Sequence, residues 1–113
     1  MKFPDTIQVL HGTTGLRFPF PAKIFGPLAV HRKPLRGDTP DIIIEGKTFS
    51  ISFVETGHVL LSGLKVKKAV ALAKGMAEWP EWKSEYLHTP TSAPRDFMRK
   101  LRDKVHATAG IKS

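Results

Sequence analysis

The stretch Thr48-Phe49-Ser50-Ile51-Ser52-Phe53-Val54 decides the reading of the whole chain. Large apolar side chains at 49, 51 and 53 alternate with hydroxyls at 48, 50 and 52. That is the period-two pattern of a strand with one face on a core and the other toward solvent. Upstream, Asp41 to Glu45 holds three consecutive isoleucines, β-branched and stiff about χ1, and Glu45-Gly46-Lys47 has the composition of a tight turn. Downstream, Glu55-Thr56-Gly57 turns the chain into His58 to Ser62. The expectation is a three-stranded antiparallel meander over 41–45, 48–54 and 58–62.

Earlier segments extend the β pattern. Thr6 to Leu10 reads as a strand, His11 to Gly15 as a turn and Leu16 to Phe18 as its partner. Pro19 and Pro21 remove backbone donors and impose extended geometry. Ile24-Phe25 and Leu28 to His31 bracket a bend at Gly26-Pro27, and residues 34–40 form a polar loop.

Beyond Gly63 the period changes. Val66, Ala69, Val70, Ala73 and Ala77 share a narrow arc, which predicts a helix over 65–78 with a small apolar face. Trp79 must leave the α region before Pro80, so the helix stops there. Residues 88–92 read as a loop. Ser92 as N-cap, Pro94 in the first turn and Asp96 near the positive dipole end predict a second helix over 93–107. Its inward stripe is Phe97, Leu101 and Val105, and residues 110–113 are expected to fray. The fold class is therefore α+β: an antiparallel meander of about four to six short strands in residues 6–62, packed on two C-terminal helices. At 113 residues, the chain is expected to form a single domain.

Charge is the unusual global property. Eighteen Lys and Arg against ten Asp and Glu give +8, a field that attracts polyanions. On the second helix, Arg95, Arg99 and Arg102 form a row at i, i+4 and i+7, opposite the apolar stripe. Guanidinium forks in a row suit phosphate oxygens. Lys67 and Lys74 on the first helix, with Arg32, Lys33 and Arg36 near the loop, complete the candidate nucleic-acid surface. Asp96 and Asp103 lie beside the arginines and offer them local partners. Thr48, Ser50 and Ser52, expected on the open face of the sheet, could touch phosphates but would specify little sequence. Trp79, Trp82 and Tyr86 either cap the core or serve function, as an anchor for a protein partner or a stacking platform for unpaired bases.

Other classes find less support. With no cysteine, disulfides, thiolate chemistry and Cys-based metal sites are excluded. The five histidines are scattered, without the spacing of a helical zinc site. Gly12-Thr13-Thr14-Gly15 resembles part of a phosphate loop, yet no Gly-Lys-Ser/Thr follows it. No apolar run approaches the ~20 residues of a membrane span. The sequence thus predicts a cytoplasmic, non-enzymatic protein without cofactor that binds nucleic acid mainly through phosphates. The alternative is an inhibitor or adaptor, of the kind phages and plasmids encode, that covers a surface of a larger protein.

Overall fold

The structure, a computed structural model, describes residues 3–10, 17–36, 43–83 and 95–110, with the side chains of 36 and 43–45 not described. Five strands, β1 (Asp5–Leu10), β2 (Arg17–Phe25), β3 (Leu28–Arg36), β4 (Ile43–Phe53) and β5 (Val59–Leu64), form one antiparallel sheet in sequential order. Helix α1 (Val66–Met76), a 3₁₀ turn (Pro80–Lys83) and helix α2 (Arg95–Ala109) follow. The α+β meander and both helices agree with the sequence reading. The turn at 11–15, residues 37–40 of the expected 34–40 loop, the N-cap Ser92, the loop at 88–92, Tyr86 and the tail 111–113 lie outside the described residues. The start of the 34–40 loop is a correction: Pro34, Leu35 and Arg36 continue β3, paired with Glu45, Ile44 and Ile43 of β4.

The Glu45-Gly46-Lys47 turn is a correction, because β4 runs unbroken through it. Arg32 pairs with Phe49 and Pro34 with Glu45, so β4 takes extra residues opposite Lys33, and the register shifts there. A bulge of this kind bends the strand while keeping it in the ladder. Gly46 is needed for close approach: a Cβ there would lie 2.9 Å from the Lys33 carbonyl.

β2 is also longer than expected and carries both prolines. Ile24 N–H donates to Asp5 Oδ2 on the β1 side, so the odd-numbered positions of β2 point their nitrogens toward β3. β3 pairs only with residues 22–25. Pro19 and Pro21 therefore omit donors where the β3 ladder has already ended.

Both faces of the sheet are covered. On one, Leu28, Val30, Phe49, Ile51 and Phe53 pack with Ala69, Ala73 and Met76 of α1 and Leu101, Val105 and Ala109 of α2. The small alanines let α1 lie close to the sheet. On the other, Ile7, Val9, Phe20, Ala22 and Ala29 form a second cluster. Here the sheet rolls until β1 reaches the turn between β4 and β5, and Leu10 N–H donates to Gly57 O at 2.9 Å. Ser50 and Ser52 are consequently 0% exposed, not on an open face, and only Thr48 of the three hydroxyls reaches solvent.

A buried polar row replaces the expected open face. His31 Nε2 lies 2.7 Å from Ser52 Oγ and its Nδ1 2.7 Å from the Arg32 carbonyl. A carbonyl only accepts, so Nδ1 carries the proton and neutral Nε2 accepts from Ser52. Burial pushes the His31 pKa down, partly offset by the bond to Arg32 O, and this favours that neutral form. Ser50 Oγ bonds Ser62 Oγ at 2.9 Å, and Phe20 meets His31 edge-on.

Candidate functional site

α1 emerges directly from β5 with no side-chain cap, and its apolar residues Ala69, Ala73 and Met76 turn inward. The same periodicity turns Lys67, Lys68 and Lys74 outward, all exposed, with exposed Lys65 just before them. Residues 66–76 contain no carboxylate. Among the described residues these four lysines make no ion pair. Lys74 Nζ sits 5.9 Å from the centre of the Phe25 ring, and Lys23 Nζ from β2 sits 5.6 Å from the same ring. The half-buried Phe25 thus gathers a helix lysine and a strand lysine through cation–π attraction.

α2 presents Arg95, Arg99 and Arg102 to solvent, as its periodicity predicts. The row is partly neutralised from within. Arg99 pairs with Asp96 at 3.1 Å, and Arg102 Nε lies 3.9 Å from Asp103. These pairs are exposed, so each is weak and leaves the arginines able to exchange partners. Lys104 is held more firmly: it donates to Glu81 at 2.6 Å and lies 4.2 Å from the Trp79 ring centre. That hydrogen bond lowers the Glu81 pKa, against a smaller opposing effect of burial.

Arg32 on β3 is exposed but oriented by the protein itself. Its guanidinium lies over Phe49 at 5.2 Å and donates to Gly46 O at 3.3 Å. Phe3 stacks on the same Phe49 ring. Lys33 is half-buried at the bulge, and Arg36 closes β3. The predicted cations therefore occupy the strand bulge, α1 and α2, with direct contacts joining α1 to β2 rather than one helix row to another.

The tryptophans belong to the core edge. Trp82 is 4% exposed, donates Nε1–H to Met76 O at 2.5 Å and stacks on Phe53. Trp79 is half-buried and stacks parallel on Trp82. Of the two readings of this pair, core capping matches these contacts.

Lys23 and Phe25 were not singled out in the sequence. Their i, i+2 spacing on one strand was the available signal, but their link to Lys74 is a tertiary contact. Among the described residues, no group of three or more His, Asp or Glu could hold a metal ion, and no helix is long and apolar enough to cross a membrane. Compared with protein-family models, curated proteins and solved structures, the chain matches none at a significant level.

Proposed function

We propose that this protein binds nucleic acid without catalysing a reaction, through phosphate contacts centred on α1 and Lys23, with the α2 arginines contributing at the side. The observation that carries the reading is the contrast in neutralisation. Lys65, Lys67, Lys68 and Lys74 stand on or beside a helix without carboxylates, whereas Arg99 and Arg102 each have an aspartate beside them. Unpaired surface cations are the ones that displace condensed counterions from a phosphate backbone.

The aromatic side chains support a phosphate mode over base stacking. Phe25, Phe49 and Trp79 each have a cation of the same chain at the ring. A free π-face for an unpaired base is what a single-strand platform requires. Duplex, with its higher charge density, should accordingly bind at least as tightly per phosphate as single strands and with the steeper salt slope. A cytoplasmic location accords with the lack of cysteine.

Mobility shifts across salt concentrations test this. Binding should weaken steeply as salt rises, and Lys67→Glu with Lys68→Glu should reduce both affinity and salt slope, by about one slope unit per lost phosphate contact. Arg99→Glu with Arg102→Glu should have the smaller effect. Failure of duplex and single-stranded oligonucleotides alike to bind at low salt defeats the proposal. The same lysines would suit the acidic surface of a larger protein. Recovery of one stoichiometric protein that survives nuclease treatment would favour that inhibitor or adaptor role.

A further inference from the structure

Away from the lysines, the surface between β5 and α2 sinks into an apolar trough. Two adjoining hollows of about 210 and 260 Å³ share Val59, Leu60, Met98 and Leu101. Val59 on the strand and Met98 on the helix are 38% and 36% exposed, among the large apolar side chains the fold leaves open to water. One hollow is floored by Phe53 and Trp82. The other ends in polar groups, Arg102 and His106, beside Val105.

That polar end is incompletely satisfied. Arg102 and His106 are four residues apart on α2 and so lie side by side. His106 Nδ1 is shielded from solvent and has no hydrogen-bond partner among the described residues. A shielded polar atom without a partner is unfavourable unless something else supplies one. The Arg102 guanidinium touches Asp103 only through Nε, at 3.9 Å, among the described residues. The trough is apolar along its middle, with Thr56 and His58 lining the far hollow and Arg102 the near one. A single cation at one end, beside an imidazole that can donate in its N–H form, is complementary to one carboxylate on an apolar body.

Length and strand geometry narrow the occupant. From Met98 to His106 the helix rises roughly 12 Å, which suits an acyl chain of roughly eight to ten carbons. An added peptide strand fits poorly, because β5 shifts register twice against β4, between Phe49 and Ile51 and between Ile51 and Ser52. Bulges of this kind turn an edge strand away from further pairing. We propose that the trough binds a free medium-chain acyl carboxylate, its tail between Val59, Met98 and Leu101 and its head at Arg102 and His106. This inference shares Arg102 with the polyanion reading but does not rest on it, since the trough and the α1 lysines are separate surfaces.

Calorimetric titration of the full chain with hexanoate, octanoate, decanoate and 1-decanol, all below their micellar concentrations, tests it. Kd should fall about three- to fourfold per added methylene up to decanoate. Decanol should bind roughly tenfold more weakly than decanoate. Arg102→Gln should remove that advantage without changing decanol binding, and Met98→Asp should abolish both. Lys67→Glu should leave all of these unchanged. Amide shifts on decanoate addition should fall in residues 59–61 and 98–106. Absence of binding, absence of a chain-length increment, equal affinity for acid and alcohol, or shifts confined elsewhere would each overturn the proposal. Met98 and Arg102 are exposed, so both variants should melt like the parent, and a variant that does not is replaced by the amide-shift readout on the parent chain.

Discussion

On the helix side of β4, Phe49, Ile51 and Phe53 enter an apolar cluster completed by α1 and α2, while on the strand side Ser50 and Ser52 lie in a row with His31 beneath β1 and β2. The helix side draws its stabilisation from area removed from water, which is non-directional and tolerates local change. The strand side includes hydrogen bonds that need fixed partners, and among the described residues one backbone hydrogen bond, Leu10 N–H to Gly57 O, joins β1 to the turn between β4 and β5. One side of the sheet can therefore carry a variable charged surface. The other should respond sharply to small changes.

The largest effect is expected at that β1 contact. Gly57 has φ +76°, and a Cβ there would fall 2.2 Å from the Gln8 carbonyl. Gly57→Ala should destabilise by about 3 kcal/mol or more in urea unfolding, combining backbone strain with displacement of β1. Gly63 provides the control, since it has φ +74° with nothing within 4 Å of its Cβ position. Gly63→Ala should lose only the conformational part, about 1–2 kcal/mol. Equal losses at the two positions would mean that β1 does not depend on the Gly57 contact.

Next in size is the polar row. Ser52→Ala leaves His31 Nε2 buried without its partner, at a cost of about 1–3 kcal/mol. His31→Leu with Ser52→Ala removes both ends of the bond and should cost less than the sum of the single changes. Strict additivity in that cycle would refute the pairing. The row should also make stability depend on pH. The folded pKa of His31 is lowered by burial, so as pH falls through about 6.5 the unfolded chain takes up a proton before the folded one does. Stability should be fully present above that range and decline below it, until the folded pKa is passed. His31→Leu should flatten this part of the profile.

The comparison also explains what the sequence could and could not disclose. Alternation at 48–54 defined two faces of a strand and correctly sent Phe49, Ile51 and Phe53 to a core. It carried no information about a second cover, because serine suits solvent and a satisfied interior equally well. What decides between them is His31, twenty-one residues from Ser52 along the chain. Gly46 misled for a related reason. A glycine between Glu45 and Lys47 has turn chemistry, but here it serves a close backbone approach to Lys33 across the ladder. The helices were legible because their 3.6-residue periodicity is local. The outward direction of Lys67, Lys74 and the α2 arginines followed from the same signal. The grouping of Lys74 with Lys23 around Phe25 did not.

The smallest effect should come from the helix side. Lys104→Met removes the ion pair to Glu81 but keeps an unbranched apolar side chain over Trp79. An exposed pair of this kind should contribute below about 1 kcal/mol, less at high salt. Because Lys104 holds the Glu81 carboxyl below its usual range, the contribution is present above the ordinary glutamate pKa, near 4.3. It is lost as pH falls through the lowered folded value. The parent and Lys104→Met should therefore differ slightly at pH 7 and converge in acid, well below the pH at which His31 begins to act. If Lys104→Met instead altered the profile near pH 6.5, the two sides of the sheet would be coupled, and the division of labour between them would not hold.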